Sequence, residues 1–172
     1  MRRLILAALI VSAGCRKAPS YEAYRDEGAG FAVETPKGWP ADADPAPKGK
    51  AVATTEFIGD PQPQAEGVVL GAVLTVSRLS RRAGEKMLAS TKALFPDDAA
   101  TAVESERYSR DYEHGGPTPM HQNAVPVPMR VEGKVFRTAD AFYVVELRAA
   151  REKFEKNRHA LERALATFRP GG

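Results

Sequence analysis

The sequence predicts an α+β domain in which a central β-sheet carries one helix on each face. The most apolar segment beyond residue 20, Gly67–Val76, places apolar side chains on both faces of a strand, a pattern typical of strands that are covered on both sides. Two further segments, Met87–Phe95 and Glu152–Phe168, carry apolar residues at helical spacing. One helix on each face would cover the central strand.

Short alternating segments separated by turn residues predict about six strands. These strands are expected at Phe31–Thr35, Val52–Ile58, Gly67–Val76, Ala102–Glu113, Met129–Arg137 and Ala141–Arg148. A hairpin at Thr138–Asp140 joins the last two, and Gly133 predicts a bulge. We interpret polar Tyr21–Gly30 as a turn or lead-in, Pro40–Pro47 as a loop, and Gly115–Pro128 as a long loop or a broken edge.

The N-terminus has the three-part plan of an export signal. Met1–Arg3 is positively charged, Leu4–Val11 is uncharged and apolar, and Ser12–Gly14 are small residues. A membrane span needs about 20 apolar residues, and this run is shorter and ends at Arg16. Residues 1–14 are therefore predicted to be a signal peptide that is removed.

The residues at the expected cleavage point, Ser12-Ala13-Gly14-Cys15, resemble the lipobox of bacterial lipoproteins, although Ser12 stands where Leu or Val is commoner. The resemblance implies that the Cys15 thiol carries diacylglycerol and that the new amine is often acylated. Several acyl chains, at ~0.8 kcal/mol per buried methylene, would anchor the protein stably. The alternative is an ordinary secretory signal beside an unrelated cysteine.

Cysteine usage favours lipidation over that alternative. Cys15 is the only cysteine among 172 residues, and an unpaired thiol is unusual in an exported protein unless it is capped. We therefore expect 15–20 to be the lipidated cysteine with a short tether. Residues 21–172 then have the usual size of one domain.

Two segments have a recognisable composition: one is Phe31–Pro36 followed by Trp39, and the other runs from Phe142–Val145 through Phe154 to Phe168-Arg169. Both resemble segments of the PsbP-like superfamily, which is named for an extrinsic protein of photosystem II. The resemblance implies an α/β/α sandwich around a mainly antiparallel sheet, and many bacterial members are lipoproteins. Because the fold serves several roles, it does not fix the function.

The charge balance gives no electrostatic reason to expect nucleic-acid binding. The formal net charge of +3 falls to +1 when a leader containing Arg2 and Arg3 is removed. A nearly neutral body with interspersed charges lacks the basic footprint of a nucleic-acid-binding protein. The hydrophobic fraction of 43% is that of a folded domain, and the oligomeric state stays open.

Polar residues around His114 and His121 are the best candidate for a metal site. Asp111, Glu113 and Met120 lie near them in the sequence. Imidazole with a thioether suits copper, and imidazole with carboxylates suits zinc or nickel. The spacing matches no defined site, so solvated loop histidines are the competing interpretation.

The sequence contains no recognisable catalytic motif, and we expect neither an enzyme nor a resident cofactor. It lacks a Gly-x-Ser-x-Gly elbow and a phosphate-binding loop. His159 is expected on the polar surface of the last helix. Arg78, Arg81 and Arg82 form a basic cluster that is expected to be solvated, or else to bind an anion, lipid headgroups or an acidic partner.

These observations favour a lipid-anchored, non-enzymatic protein-binding or assembly module of the cell envelope, with membrane lipid bound through Cys15 and an envelope protein as partner. Arg16 is not the aspartate that retains enterobacterial lipoproteins in the inner membrane, which favours the outer membrane in a diderm host. The alternatives are a metal-binding lipoprotein that uses His114 and His121, and an envelope hydrolase.

The metal hypothesis predicts micromolar binding of Cu²⁺ or Zn²⁺ that depends on both histidines. Because imidazole would supply the ligands, His114→Ala and His121→Ala should each abolish the heat of binding in calorimetric titrations of the purified chain. Identical titration curves for the wild type and both variants would remove the hypothesis.

Overall fold

The computed structural model describes residues 18–44, 52–60, 71–94, 107–115 and 126–171. Within these ranges the chain forms nine strands and two helices. In chain order they are β1 (Tyr21–Asp26), β2 (Phe31–Pro36), β3 (Ala41–Asp44), β4 (Val52–Gly59), β5 (Ala72–Ser80), α1 (Arg81–Leu94), β6 (Arg107–His114), β7 (Val127–Arg137), β8 (Ala141–Ala150), α2 (Arg151–Thr167) and β9 (Arg169–Pro170).

The strands form one large sheet and one small sheet. The large sheet has six strands in the order β3-β4-β5-β8-β7-β6, and the small sheet has the order β1-β2-β9. Every neighbouring pair in both sheets is antiparallel. The predicted fold class, a mainly antiparallel α+β domain with helices flanking a six-stranded sheet, is confirmed.

The central strands β5 and β8 are buried on both faces of the large sheet. Val76 pairs with Val145 on one face, and Leu79 pairs with Phe142 on the other. Because side chains alternate along a strand, each face receives its own apolar row. Phe154 and Leu161 of α2 join the cluster of buried side chains on the Val76 face. Met87 and Leu88 of α1 pack against the cluster on the Leu79 face.

The first helix approaches the sheet closely at Gly84. A Cβ atom at this position would lie 2.4 Å from Cγ of Phe142, a separation that the ring does not allow. Glycine lowers helix stability by about 1 kcal/mol relative to alanine. Gly84 therefore serves the packing of α1 on Phe142 and not the helix itself.

The small sheet lies beside α2 on the same face of the large sheet. Aromatic rings join the layers, with the Tyr24 and Phe57 centroids 4.9 Å apart and the Phe31 and Phe168 centroids 6.1 Å apart. The Tyr143 hydroxyl of the large sheet donates to the Gly30 carbonyl at 2.9 Å.

The turn between β1 and β2 is fastened by one carboxylate. Asp26 accepts a hydrogen bond from the Ala29 amide at 2.8 Å and, through its other oxygen, from the Thr55 hydroxyl at 2.8 Å. The second bond reaches β4 and ties the small sheet to the large one. Polar groups thus hold the two sheets in register at the border of their shared apolar core.

Two polar segments form strands that the sequence did not predict. The expected lead-in at Tyr21–Gly30 contains β1, which pairs with β2 along its whole length. The expected loop at Pro40–Pro47 contains β3, which pairs with β4. Both are terminal strands of their sheets with exposed residues, so their strand character comes from the neighbouring strand and not from an apolar pattern.

Three further expectations change in detail. The central strand begins, in the described part, at Ala72 and continues to Ser80, while 61–70 lie outside the described residues. The predicted bulge at Gly133 is wrong, because Gly133 pairs with Tyr108 on one side and Glu146 on the other without a break in register. The expected loop Gly115–Pro128 is wrong at its end, because Val127 and Pro128 belong to β7 and pair with β6, and residues 116–125 lie outside the described residues.

Other predicted elements are confirmed within the described residues. The described part of the expected strand Ala102–Glu113 lies in β6, and that of the expected helix Met87–Phe95 lies in α1, while 95–106 lie outside the described residues. Thr138–Asp140 joins β7 and β8 as a hairpin, and α2 spans the predicted last helix. Trp39 packs against the core of the large sheet. Its ring covers Gly59, where a Cβ atom would lie 2.0 Å from the indole Cε2.

Gly84→Ala tests the contact between α1 and the sheet, because helix propensity and packing predict opposite changes in the free energy of unfolding. Propensity alone favours alanine by about 1 kcal/mol, whereas overpacking against Phe142 costs about 1–3 kcal/mol. We expect the packing to dominate, so the free energy of unfolding in urea should fall.

Ala89→Gly, at an exposed position of the same helix, is the matched control and should show only the ordinary loss of propensity. A more stable Gly84→Ala variant would contradict the close approach.

Candidate functional site

The flank of the large sheet formed by β6 and β7 carries a connected set of polar side chains. A cleft of about 230 Å³ lies there between the two strands and α2. Leu161 and Leu165 supply its apolar wall, and Ser109 and Glu132 lie on the strand side. Arg107 and Glu162 also border it, and their side chains form an exposed ion pair at 3.7 Å.

Glu132 is the centre of a charged cluster beside this cleft. Nη2 of Arg158 lies 2.6 and 2.8 Å from the two carboxylate oxygens, and Nε of Arg130 lies 2.9 Å from one of them. The Glu132 side chain is only 14% exposed, so these charge-assisted bonds replace much of its hydration. The hydrogen bond to Glu132 also raises the pKa of Arg158.

Asp111 extends the cluster to the terminal strand. Its carboxylate lies 3.9 Å from Nε of Arg130 and 3.5 Å from Nε of Arg151. Arg130 also donates to the Ser109 hydroxyl at 3.3 Å. These contacts join β6, β7 and α2, and the arginines that take part in them neutralise Asp111 and Glu132. The cluster is therefore built to hold the three elements together and leaves neither carboxylate without a cationic partner.

The opposite face of β6 is fastened by a tyrosine and a glutamate. The Tyr108 hydroxyl donates to Oε2 of Glu146 at 2.5 Å across the intervening strand β7. Gly133 lies between them, and a Cβ atom there would approach the Tyr108 hydroxyl to 2.7 Å and Cβ of Glu146 to 2.8 Å. The glycine thus makes room for the hydrogen bond. Burial, together with the adjacent Glu146 charge, raises the pKa of Tyr108 well above its usual range.

The predicted site residues occupy separate places. Cys15, His121 and Met120 lie outside the described residues. His114 is exposed at the end of β6. Asp111 contacts α2, and Glu113 shares its side of the strand, whereas His114 lies on the opposite side because side chains alternate. The described part of the chain contains no group of three His, Cys, Asp or Glu residues arranged to hold a metal. The pairing of His114 with His121 stays a prediction.

The other residues noted in the sequence make ordinary surface contacts. His159 is half-buried, with its ring 6.2 Å from that of Tyr21 and its Nδ1 3.0 Å from the Lys156 carbonyl. Arg81 pairs with Glu85 at 3.3 Å. Arg82 is exposed on the same first turn of α1.

Sequence reasoning missed both polar clusters. Glu132 and Arg158 are 26 residues apart, and Tyr108 and Glu146 are 38 residues apart, so no local spacing relates them. The one available signal was Gly133 inside an alternating strand, since a strand glycine marks either a bulge or a close approach. The prediction chose the bulge, and the structure shows the close approach.

Comparison with known proteins identifies a structural likeness at low sequence identity. The chain is similar to the solution structure of cyanobacterial PsbP (CyanoP) from Synechocystis sp. PCC 6803, with 12% identity and a TM-score of 0.43 over 94% of this chain and 98% of that chain. No family model matches the sequence, and no curated protein matches it. Neither helix of the described residues is long and apolar enough to cross a membrane.

Tyr108→Phe tests the buried pair at alkaline pH. An exposed tyrosine has a pKa of about 10, and that of folded Tyr108 is higher, so the unfolded chain releases this proton first. The contribution of Tyr108 to stability is therefore complete below about pH 10 and is lost above it, by about 1.4 kcal/mol per pH unit. In Tyr108→Phe, the free energy of unfolding measured in urea should therefore fall less steeply with pH above pH ~10 than it does in the wild type.

Tyr112→Phe, on the same face of β6, is the control and should retain the Tyr108 contribution. An unchanged slope in Tyr108→Phe would show that the hydroxyl is not held in its protonated state by the fold.

Proposed function

We propose that the chain is a membrane-anchored lipoprotein of the cell envelope whose folded body acts as a non-enzymatic protein-binding or assembly module. One sequence observation carries the proposal: the apolar run Leu4–Val11 leads directly to Ser12-Ala13-Gly14-Cys15. In a diderm host the absence of aspartate after Cys15 favours the outer membrane. The partner of the module is an envelope protein.

The short tether supports a body that stands at the membrane surface. The first strand begins at Tyr21, six residues beyond Cys15. At about 3.3–3.6 Å per extended residue, this segment reaches at most ~22 Å. The Ser20 carbonyl accepts a hydrogen bond from the Lys37 amide, so the turn after β2 belongs to the end of the domain nearest the anchor.

The character of the β6–β7 flank supports binding over catalysis. Glu132 and Asp111 are each paired with two arginines, and the Tyr108 hydroxyl is engaged by Glu146. A general base or nucleophile needs a group that can exchange protons with a substrate, and these groups are committed to structural contacts. The exposed strand β6 and the adjacent cleft offer a surface suited to another protein.

Cys15→Ala should release the protein from the membrane. The wild type is expected to incorporate labelled palmitate and to sediment with membranes, because several acyl chains anchor a protein stably. The variant should incorporate no label and appear in the soluble envelope fraction. Ser12→Leu, which brings the site closer to the common lipobox, is the matched control and should be labelled at least as strongly as the wild type.

Intact mass measurement of the purified wild type gives an independent reading. Retention of residues 1–14 or an unmodified Cys15 thiol would overturn the anchor. For the second part of the proposal, crosslinking in intact envelopes should recover a defined partner, and recovery of none would leave the binding role unsupported.

A further inference from the structure

We propose that the turn between β2 and β3, Lys37–Pro40, rests on the lipid headgroups of the bilayer that holds the acyl chains, and so fixes the orientation of the folded body. The inference rests on the proposed function, since it takes Cys15 to be acylated. It adds a second membrane contact, which the folded domain itself makes.

The tether keeps this turn close to the bilayer. The strand β1 begins where β2 ends, because Tyr21 pairs with Pro36, and the Ser20 carbonyl accepts a hydrogen bond from the Lys37 amide at 2.9 Å. Ser20 lies five residues beyond Cys15, a span of at most ~18 Å when extended and of ~12 Å on average for a flexible segment. The headgroup layer itself is about 5–8 Å thick, so the turn lies within reach of it.

The turn has one fixed shape before it meets any surface. Gly38 has a φ angle of +86°, a conformation that glycine adopts without strain, and the Trp39 amide donates to the Pro36 carbonyl at 3.2 Å. The Pro40 carbonyl accepts a hydrogen bond from the Ile58 amide of β4 at 3.1 Å. A segment that is already ordered loses little conformational freedom when it binds.

Two side chains of the turn carry donors that the fold leaves free. Lys37 is exposed, and its ammonium group has no ion pair or hydrogen bond to the part of the chain that the structure describes. Trp39 is half-buried with its ring against Gly59. Its indole N–H has no acceptor within the described ranges and is not enclosed by the fold. Tryptophan is enriched at the headgroup level of membranes, and lysine is attracted to anionic lipids.

The acidic side chains nearest the turn are offset within the chain. Asp60 pairs with Lys156 at 2.8 Å, and Glu34 pairs with Arg163 at 2.7 Å. Glu22 accepts a hydrogen bond from an amide of the turn at 3.1 Å and is offset by the lysine of the turn. The two basic residues that directly follow the lipobox add positive charge on the membrane side, which an anionic headgroup layer attracts.

The contact directs the opposite end of the small sheet away from the bilayer. The strands β1 and β2 pair over six residues, about 20 Å at 3.3–3.4 Å per residue. The turn at their far end is tied to the large sheet, where the Tyr143 hydroxyl donates to the Gly30 carbonyl. The hairpin Thr138–Asp140 leads into the same end of β8. This far end is therefore the part of the body that a partner meets first.

Trp39 is the only tryptophan of the chain and therefore reports on its own surroundings. The acylated full chain is reconstituted in vesicles of equal parts phosphatidylethanolamine and phosphatidylglycerol, with and without a spin label on the headgroup. The label should quench the Trp39 emission by at least about twofold, because interfacial tryptophans lie at the headgroup level. Emission that the label leaves unchanged would overturn the proposal.

Trp39→Phe combined with Ala139→Trp moves the single tryptophan to an exposed position of the hairpin at the far end and is the matched control. Its emission should be unchanged by the headgroup label. Equal quenching at both positions would show that the body has no fixed orientation and would contradict the proposal. The wild-type measurement does not depend on the folding of this variant.

Charge reversal separates a true contact from proximity caused by the tether. Lys37→Glu should lower the quenching of Trp39 to about half of the wild-type value or less, because a basic residue at an anionic surface favours binding. Lys86→Glu makes the same change at an exposed position of α1, on the other face of the large sheet, and should leave the quenching unchanged. Equal quenching in all three proteins would remove the proposed contact.

Failure of the contact and failure of the anchor give different results. A chain whose intact mass shows an acylated Cys15, and whose Trp39 is not quenched, keeps the anchor and loses the contact. A chain that lacks the acyl group, and whose Trp39 is quenched when the same labelled vesicles are added, loses the anchor and keeps the contact.

Discussion

Burial of β5 and β8 on both faces is the constraint on which the rest of the structure depends. Leu74, Val76, Val145 and Leu147 are fully buried on one face, and Leu79 and Phe142 are buried on the other. Successive side chains of a strand lie on opposite faces of the sheet. A layer that covered one face only would therefore leave the apolar row on the other face exposed to water. The small sheet and α2 cover one face together, whereas α1 covers the other through the close contact at Gly84.

At the border of this core, charged side chains replace apolar ones in the contact between α2 and the large sheet. Towards β7 and β6, the side chains beneath α2 are Arg130 and Glu132, and both Arg130 and Arg158 lie over the Phe154 ring at 5.5 and 5.8 Å. Removing the arginines of this cluster would cost more than the pairs contribute, because the Glu132 side chain is only 14% exposed and its charge would stay largely desolvated. The cluster around Glu132 therefore acts as a positional constraint: α2 docks at the one place where its arginines meet the carboxylate.

The sequence predicted the elements that carry an apolar pattern within their own residues. The spacing of apolar residues in the sequence predicted four elements: β2, β5, β8 and α2. The structure contains each of them, with boundaries that differ from the predicted ones. The strands β1 and β3 were missed because Tyr21–Asp26 and Ala41–Asp44 are polar and become strands only through pairing with a neighbour. The site was missed for a related reason, since Glu132 meets Arg158 and Tyr108 meets Glu146 only after the sheet and helix have assembled.

Gly133 shows how one residue connects core packing to the character of the edge. Any side chain there would displace the Tyr108 ring from Glu146, and β6 would then lose its side-chain hydrogen bond to β8. With glycine, the terminal strand is fixed on both faces without a helix lying over its outer edge in the described residues. One glycine in β7 thus allows the side chains of its two neighbouring strands, β6 and β8, to meet across it.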